Sequence, residues 1–571
     1  MPIDDRPLDH QLEEVMNELL PYPDADVIHI DDIDMFYWNV ESDIDVLKII
    51  CNNYFNDPRT WASIRCSSKE LSTYTNLPVF ARLLLHQKSH TYKLLYALHK
   101  FGRAMDTSMM GRGKSFTSVA LAAALELPVV VFAPGSSRYN WDEAFKHFDM
   151  KRGSFYPYSV FQRKHPPFYK RRELPPAIPN APKPSVREKF ELTDEWREIC
   201  AAGVLLVIDE VHFVKNKNAR HHLLVSMIRE MFCYAGSSSK LLCLSGTPFV
   251  RSDETQHLAR VMCLYRTDPL SQMHPLTGQL EYLGLQEFLE FCERVDPSFD
   301  SDVLEYTPSE DFTANVIHTC MMKSIKPALI FSMPKAESQP GRVPLYTANL
   351  KFDGEIDPLY SRRIQSGLAR IGQALGMLAA RIHVAQAQAI LTSGMRELET
   401  GKIPCFQQTA ELLLQRSGNS KVVIMCNNIE TIDTLAENLQ HYTPIVIKGS
   451  VKPEKRPGLV QLFQRPTPEY RLLISTMSLL ANGVDLDDQH GEFPRSMILS
   501  PSYHFTVLRQ AQQRIDRTYT RSAASAYHLY SNESSEVKIL ENIDRKRKML
   551  GQITDNDEYL DVQETISFSS L

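Results

Sequence analysis

The chain has 571 residues, 43% of them hydrophobic and 23% charged, a composition that excludes a disordered or fibrous protein and suffices for several domains. Its start, MPIDDRPLDH, lacks the regions of a signal peptide, and its apolar runs stay short of the roughly 18 residues of a membrane span. Its ten cysteines show neither a C-x-x-C pair nor a zinc spacing, which predicts buried thiols in a reducing compartment. We therefore expect an intracellular protein with no membrane partner.

The first 45 residues are strongly acidic. They hold fourteen aspartates and glutamates against the single base Arg6, a local net charge of −13. The whole chain carries −6, so the remainder carries +7 (−6 minus −13). A basic body with an acidic leader favours a polyanionic partner that the leader mimics or screens. A solvated, partly disordered tail remains the alternative.

Residues 109–127, MMGRGKSFTSVALAAALEL, predict a phosphate-binding loop at the start of a helix. Gly111 and Gly113 allow backbone amides to turn toward a phosphate, and the helix N-terminus favours negative charge. Lys114 can reach the β and γ phosphates, and the Ser115 hydroxyl can bind Mg²⁺. The full pattern has glycine where this chain has Ser108, so the motif alone leaves a chance match open.

Six short aliphatic runs predict buried parallel strands. They are LPVVVFAP at 127, GVLLVIDE at 203, KLLCLSGTP at 240, KVVIMC at 421, RLLIST at 471 and RSMILS at 495. Three runs lie before residue 250 and three after 420, which predicts an α/β architecture with two parallel sheets. Between the first two runs, the prolines of residues 163–186 predict an exposed insertion.

Two adjacent acids, Asp209 and Glu210, end the strand at 203. A solvated strand end would explain them if they stood alone. Beside a phosphate-binding loop, Asp209 is a candidate Mg²⁺ carboxylate and Glu210 a candidate base that orients water toward the γ phosphate. Ser245 and Thr247, in LSGTP, offer hydroxyl groups near the same sheet edge.

An arginine pair follows near the end of the second half. Arg514 and Arg517, in RQAQQRIDR, are three residues apart. The spacing predicts that both lie on one helical turn and face a phosphate across a cleft. Without the motifs of the first half, a solvated basic face would be the favoured explanation of the pair.

Nine segments occur in the order typical of one motor family. They are LLLHQ, MGRGKS, APGSSRYNW, DEVHFVKNKNA, LSGTP, KVVIMCNNIETIDTL, VIKGSVKPEKRPGLVQLF, STMSLLANGVDL and QAQQRIDR. Together they resemble superfamily 2 helicase-type ATPases, and among these they are most like the Swi/Snf-type translocases on double-stranded DNA. The resemblance runs from residue 87 to residue 517.

The resemblance implies an α/β fold of two RecA-like lobes with parallel sheets and an ATP cleft between them, preceded by an acidic N-terminal extension. The domains expected from it are an acidic accessory region at 1–78, lobe one with the helicase ATP-binding motifs and the 163–186 insertion at 79–265, a linker or helical insertion at 266–350, a helical lead-in and lobe two (helicase C-terminal) at 351–535, and a C-terminal tail at 536–571.

The same resemblance assigns cofactors, ATP and Mg²⁺, and roles by position. It implies ATP binding by Gln87, which would read adenine, and by Gly111, Gly113, Lys114, Ser115 and Asp485. It implies Mg²⁺ binding by Ser115 and Asp209. It implies catalysis by Glu210 and by Arg514 and Arg517 as fingers that act when the lobes close. It implies coupling to nucleic acid by His212, Ser245, Thr247 and Gln510, and lobe-two roles for Asn482 and Gly483.

Nucleic-acid contacts are expected at two places in lobe one. Ser136, Ser137 and Asn140 occupy positions where the family touches a strand backbone, and hydroxyls and amides at a helix start suit phosphates. Basic and aromatic residues alternate over 151–172, and the candidates there are Arg163, Lys164, Arg171 and Arg172. A solvated loop over a small apolar cluster explains that stretch nearly as well. Trp141 is predicted to be a core residue.

The sequence therefore predicts an ATP-dependent motor that moves along double-stranded DNA and displaces or remodels bound protein. One alternative is a DEAH-type helicase on RNA or DNA, including a viral transcription-associated ATPase. Another is a non-catalytic scaffold. The presence of all five expected site residues argues against it: Lys114, Asp209, Glu210, Arg514 and Arg517. Motif departures, such as Val211 in place of alanine, indicate a divergent member of the kind expected in large DNA viruses. The expected location is the nucleus, a cytoplasmic viral factory or a virion.

Overall fold

The structure is a computed structural model that describes most of the chain after residue 77. The described ranges are 78–162, 167–174, 187–214, 219–234, 238–249, 254–266, 272–273, 280–281, 283–296, 298–299, 316–333, 345–380, 382–480, 484–501, 505–517, 520–531, 534–554 and 564–571. They form two compact units, 78–333 with 552–554, and 345–551 with 564–571. The predicted acidic N-terminal region lies outside them except for its last residue.

A six-stranded parallel sheet is the core of the first unit. The strands of this unit are β1 (Arg103–Asp106), β2 (Val129–Ala133), β3 (Gly153–Pro157), β4 (Tyr169–Leu174), β5 (Arg187–Leu192), β6 (Leu205–Asp209), β7 (Lys240–Leu244), β8 (Gln272–Met273), β9 (Leu280–Glu281) and β10 (Ile330–Phe331). Six of them lie in the order β10–β1–β7–β6–β2–β3, and every neighbouring pair is parallel. Every residue of β2 and β6 is buried, as expected for strands covered on both faces.

Helices connect these strands. They are α1 (Leu85–Phe101), α2 (Lys114–Ala124), α3 (Arg138–His147), α4 (Asp194–Ala202), α5 (Ala219–Met231), α6 (Thr255–Val261), α7 (Leu283–Val295) and α8 (Lys326–Leu329). Helix α2 is buried from Thr117 to Ala122, which explains its run of small side chains. Helix α3 begins after a single turn of 3₁₀ helix, Gly135–Ser137, that follows β2.

The second unit contains a seven-stranded sheet. Its strands are β11 (Tyr346–Lys351), β12 (Lys421–Cys426), β13 (Ile445–Ile447), β14 (Leu472–Thr476), β15 (Arg495–Leu499), β16 (Ala524–Tyr530) and β17 (Glu564–Ser567). They lie in the order β13–β14–β12–β15–β16–β11–β17, and all pairs are parallel. All six aliphatic runs are thus strands of two parallel sheets. The predicted α/β fold with two RecA-like lobes is confirmed.

The helices of the second unit flank this sheet. They are α9 (Pro358–Ala379), α10 (Val384–Gly401), α11 (Ile403–Gln415), α12 (Ile429–Asn438), α13 (Arg456–Gln464), α14 (Met477–Leu480), α15 (Phe505–Gln512) and α16 (Ser534–Thr554). Helices α9 and α10 pack closely at two glycines. A Cβ atom on Gly367 would lie 2.8 Å from the carbonyl oxygen of Gly394, so this contact requires glycine.

Two parts of the chain differ from the sequence-based expectations. Within the stretch 163–186, Tyr169–Leu174 forms β4, which pairs antiparallel with β5. Phe168 and Tyr169 are buried there, because their rings contact Phe132, Phe161 and other aromatic side chains of the unit. The expectation of a wholly exposed insertion was therefore wrong for these two residues. In the predicted C-terminal tail, β17 pairs with β11 and extends the second sheet.

No helix within the described ranges is both long enough and apolar enough to cross a bilayer. All eight cysteines in the described ranges are free thiols, and all except Cys233 are buried, as the cysteine pattern predicts. Burial raises the pKa of several of these thiols, including that of Cys243, to about 12.

Candidate active site

The candidate ATP-site residues of the first unit lie at one edge of its sheet. Strands β1, β7 and β6 are neighbours, and their last residues Asp106, Leu244 and Asp209 are in register. The phosphate-binding loop follows β1, Glu210 follows β6, and Ser245 follows β7. Parallel strands bring their carboxyl ends to the same edge, where such folds bind ligands.

The predicted phosphate-binding loop has the backbone geometry that its glycines permit. Gly111 has φ 78° and Gly113 has φ 86°, both in the left-handed region that disfavours other residues. Helix α2 begins directly afterwards, at Lys114. The Lys114 ammonium is buried and donates hydrogen bonds to the carbonyl oxygens of Ser108, at 2.8 Å, and Met109, at 3.2 Å. The loop therefore presents an ammonium and a helix N-terminus, the groups that a polyphosphate requires.

Gln87 contacts this loop from helix α1. Its side-chain amide donates to the carbonyl oxygen of Arg112 at 2.9 Å and accepts from the amide of Leu84 at 3.0 Å. A Cβ atom on Gly113 would lie 2.3 Å from the Gln87 amide nitrogen, so glycine is required there for a second reason. The structure thus places Gln87 next to the phosphate-binding loop, and its adenine-reading role stays a prediction.

Ser108 replaces the first glycine of the usual loop and adds a hydroxyl group. Its oxygen accepts from the amide of Met333 at 2.8 Å and lies 3.4 Å from Nε2 of His90. His90 Nε2 also lies 3.1 Å from Asp106 Oδ1, and both side chains are fully buried. Burial opposes the charge of Asp106, but His90, Lys114 and Ser108 together hold its pKa below its usual value. The serine at this position therefore connects the loop to the segment that follows the edge strand β10.

Asp209 is buried at the end of β6 and is held by two aromatic side chains. The indole Nε1 of Trp141 donates to Asp209 Oδ2 at 2.9 Å, and the Tyr158 hydroxyl donates to the Asp209 carbonyl oxygen at 2.6 Å. Burial and the neighbouring Glu210 raise the pKa of Asp209 to about 7, and the Trp141 hydrogen bond and Lys114 oppose that rise. A bound cation would favour the ionised carboxylate further.

Glu210 forms a small polar cluster with His212 and Ser245. Its Oε2 atom lies 3.2 Å from His212 Nδ1 and 3.5 Å from the Ser245 hydroxyl, and His212 and Ser245 are 3.2 Å apart. Ser245 also accepts from the amide of Thr247 at 3.1 Å. Glu210 itself has φ 56°, a strained conformation of the kind found at functional sites. The structure thus brings together Glu210 and three of the four predicted coupling residues.

The turn that contains Ser245 also packs against the phosphate-binding loop. A Cβ atom on Gly246 would lie 3.2 Å from the Ser108 carbonyl oxygen, and the Ser245 amide donates to the Asp106 carbonyl oxygen at 3.0 Å. A displacement of the phosphate-binding loop would therefore move Ser245 and change its contact with Glu210.

The donor groups at this edge suit Mg²⁺. Ser115 supplies a hydroxyl oxygen and Asp209 a carboxylate, both of them hard ligands. Within the described ranges, no group of three or more His, Cys, Asp or Glu residues could hold a metal ion. Mg²⁺ typically combines one or two protein oxygens with phosphate oxygens of the substrate. These residues fit a metal ion that arrives with a nucleotide.

In the second unit, Arg514 and Arg517 lie beside the loop that contains Asp485. Arg517 Nε lies 2.8 Å from Asp485 Oδ1, and an Arg514 guanidinium nitrogen donates to the Val484 carbonyl oxygen at 3.3 Å. The prediction that both arginines share a helical turn was wrong, because α15 ends at Gln512. The Leu486 amide donates to the Arg514 carbonyl oxygen at 2.8 Å. In a continuing helix, that carbonyl oxygen would instead accept a hydrogen bond from an amide of the next turn.

A buried polar network that the sequence did not reveal supports this loop. Asp488 accepts hydrogen bonds from the amides of His490, Gly491 and Phe493, at 2.8 to 3.1 Å. Buried Arg495 donates to the carbonyl oxygens of Leu486 and Phe493. The run of acids D-x-D-D at 485–488 is the one sequence signal that could have indicated such a network.

The remaining site predictions are placed as follows. Gln510 is buried in α15, whereas Asn482 and Gly483 lie outside the described residues. Ser136 and Asn140 are exposed, and the Ser137 hydroxyl donates to the Pro134 carbonyl oxygen at 2.8 Å. Arg163 and Lys164 lie outside the described residues, and Arg171 and Arg172 belong to β4. Trp141 is fully buried, as predicted, but its hydrogen bond to Asp209 was missed.

Comparison with known proteins identifies related sequences along most of the chain. A family model described as the helicase conserved C-terminal domain matches residues 405–521. The chain is 22% identical over 504 residues to a putative ATP-dependent RNA helicase, L364, of Acanthamoeba polyphaga mimivirus, and the match covers 84% of each protein.

A second relative comes from a frog. The SWI/SNF-related matrix-associated actin-dependent regulator of chromatin subfamily A-like protein 1 of Xenopus tropicalis is 20% identical over 465 residues. That match covers 80% of this chain and 44% of the frog protein. Among solved structures, the Sulfolobus solfataricus SWI2/SNF2 ATPase core in complex with dsDNA is 14% identical, with a TM-score of 0.28, and the match covers 83% of this chain and 93% of that one.

Proposed function

We propose that this chain, a divergent member of the superfamily 2 helicase-type ATPases, hydrolyses ATP to move along double-stranded DNA and thereby displaces or remodels bound protein. The cofactors would be ATP and Mg²⁺, held by Lys114, Ser115 and Asp209. The proposed catalytic base is Glu210, and the proposed fingers are Arg514 and Arg517.

The observation that carries the ATPase part is the cluster at the carboxyl edge of the first sheet. Lys114 is buried and follows a loop whose two glycines have left-handed backbone conformations. Glu210 lies within 3.5 Å of both His212 and Ser245. Phosphoryl transfer requires mainly positioning and charge stabilisation, and these groups supply both. A chain that kept the fold only as a scaffold would have no need to preserve this set.

The choice of double-stranded DNA has its own support. The motifs are most like those of Swi/Snf-type translocases, and the frog relative is a SWI/SNF-related chromatin protein. The mimivirus relative is named as an RNA helicase, which favours a DEAH-type RNA helicase as the second candidate. The proposed place of action is a nucleus, a viral factory or a virion, and the viral source of the same relative favours the last two.

A triple-helix displacement assay separates the two candidates. A motor that tracks along a duplex should release a third strand from double-stranded DNA in an ATP-dependent manner and should leave a forked DNA or RNA duplex paired. The Glu210→Gln protein serves as the inactive control. Separation of an RNA duplex without release of the third strand would favour the RNA helicase.

Replacement of either finger arginine should slow hydrolysis far more than it weakens ATP binding. Arg514→Ala or Arg517→Ala should lower turnover by about 1,000-fold, since an arginine finger acts on the transition state. The loop 484–488 should keep its structure in both variants. The Leu486 amide bonds the backbone carbonyl of Arg514, which the substitution leaves in place. Asp485 is more than half exposed, so water can solvate its carboxylate when Arg517 is removed. Steady-state kinetics and nucleotide titration measure the two effects.

Arg521→Ala is the matched control, because Arg521 is exposed and its amide, rather than its guanidinium, bonds Asp488. It should leave turnover unchanged. A loss of ATP affinity as large as the loss of turnover in Arg514→Ala or Arg517→Ala would remove the proposed cross-cleft role.

The acidic leader is proposed to restrain the motor. Residues 1–45 carry −13 against +7 in the remainder, and a tethered polyanion is at high effective concentration over a basic groove. Deletion of residues 1–45 should raise ATPase activity without nucleic acid and tighten DNA binding most at low salt. A deletion protein that is less stable and shows no gain in basal rate would indicate a structural role instead.

A further inference from the structure

Trp141 makes a contact that core packing alone does not require. Its side chain is fully buried in α3, yet its indole N–H donates to Oδ2 of Asp209 at 2.9 Å. The two residues are 68 positions apart in the sequence. A buried indole N–H needs an acceptor, and here the acceptor is the carboxylate at the end of β6 rather than a backbone carbonyl oxygen.

The contact fixes the orientation of the Asp209 carboxylate, the proposed Mg²⁺ ligand. A carboxylate can rotate about its side-chain torsions, and a metal ligand is usually held in place by a hydrogen bond to its other atoms. Trp141 takes Oδ2, and Tyr158 holds the Asp209 carbonyl oxygen at 2.6 Å. Oδ1 is thereby left for a metal ion or its bound water. An N–H donor to a carboxylate also forms a charge-assisted bond that favours the ionised form.

Helix α3 holds the indole firmly. Trp141 packs beside Phe145, with ring centroids 6.0 Å apart, and Ala144 on the same helix is also fully buried. Ser137, before the helix, is tied to the Pro134 carbonyl oxygen. The donor is thus carried by a packed element rather than by a loop, which is the arrangement that positions a functional group precisely.

We propose that Trp141 is a positioning residue for Mg²⁺: its indole N–H holds the carboxylate of Asp209 in the orientation that binds the metal ion of Mg·ATP. This inference rests on the proposed ATPase site. It adds a residue that contacts neither nucleotide nor metal and that acts through Asp209.

The Trp141→Phe protein tests the inference, because phenylalanine keeps an aromatic ring in the core and removes the N–H. The affinity for a fluorescent ADP analogue should be unchanged without Mg²⁺. The gain in that affinity on addition of Mg²⁺ should fall by about tenfold, the lower end of the effect of removing a partner of a metal ligand. The Mg²⁺ concentration that half-saturates ATP hydrolysis should rise by a similar factor.

Trp196→Phe is the matched control. Trp196 is also fully buried in the first unit, and its indole N–H donates to the Met227 carbonyl oxygen at 3.2 Å. Trp196→Phe therefore makes the same chemical change as Trp141→Phe and also removes one buried hydrogen bond. The acceptor of that bond, however, is not a site residue. Equal Mg²⁺ dependence in the Trp141→Phe protein and the unmodified protein would overturn the proposal.

A second measurement does not depend on the folding of that variant. The chain has four tryptophans, so ¹⁵N labelling of the indole groups gives four N–H signals, which substitutions of the other three assign. Addition of Mg²⁺ to the ADP-bound protein should shift the Trp141 signal and leave the Trp196 signal in place. An unmoved Trp141 signal would overturn the proposal. Failure of the unmodified protein to bind ADP at all would instead refute the proposed ATPase site.

Discussion

The Lys114→Ala protein should lose ATP binding, and its hydrolysis rate should fall by about 100-fold or more, because the ammonium is the charge aimed at the β and γ phosphates. The Lys114 ammonium donates to two carbonyl oxygens of its own loop, at 2.8 and 3.2 Å. Its removal should therefore alter the loop locally and leave the sheet intact. Titration with a fluorescent ATP analogue and a steady-state ATPase assay measure the two effects.

Lys100→Ala is the control for this change, since Lys100 is an exposed lysine at the end of α1. Its ATP affinity and turnover should match those of the unmodified protein. If Lys114→Ala bound ATP nearly as tightly as the unmodified protein, the loop at 109–115 would not be the phosphate site.

The Glu210→Gln protein should retain ATP but hydrolyse it more slowly, by about 100-fold or more, because only the water-orienting carboxylate is lost. Glutamine has the same shape and can still bond Ser245 and His212, which lie 3.5 and 3.2 Å from Glu210. The left-handed conformation at this position costs either residue about the same. Single-turnover hydrolysis and nucleotide titration separate the chemical step from binding.

Glu143→Gln, at an exposed position of α3, controls for the loss of one negative charge from the first unit. It should be fully active. Unchanged hydrolysis in Glu210→Gln would mean that another group orients the attacking water, and the assignment of Glu210 would have to be abandoned.

The sequence predicted those parts of the structure that depend on neighbouring residues. The aliphatic runs are strands because continuous apolar residues can be buried on both faces of a parallel sheet. The loop around Lys114 and the acids Asp209 and Glu210 follow such strands directly, so their common sheet edge follows from the topology. For these residues, the local sequence pattern is enough to predict their position in the fold.

Contacts between distant segments were not predictable in this way. The Trp141–Asp209 bond joins positions 68 apart, and the Ser108–Met333 bond joins positions 225 apart. No spacing rule connects such pairs. Each depends on how a helix or an edge strand packs against the sheet. In the sequence, a buried tryptophan that bonds a proposed metal ligand resembles an ordinary core residue.

The end of α15 shows a tertiary contact that overrides a local pattern. The segment QAQQRIDR is compatible with a helix that carries Arg514 and Arg517 on one turn. The structure ends the helix at Gln512, and the Asp485–Arg517 ion pair and the Leu486–Arg514 bond hold the following residues against the loop 484–488. Both arginines still lie beside one loop, but long-range contacts rather than helical spacing place them there.

The most direct test of the proposed motor is the steady-state ATPase rate with duplex DNA, single-stranded DNA, RNA and no nucleic acid, at equal phosphate concentration and at two salt concentrations. We predict the highest rate with duplex DNA, a smaller response to single strands and RNA, and weaker stimulation at the higher salt because phosphate contacts release counterions. Stimulation by RNA with none by duplex DNA would contradict the proposed substrate, and an unstimulated rate with all three polymers would contradict a nucleic-acid motor.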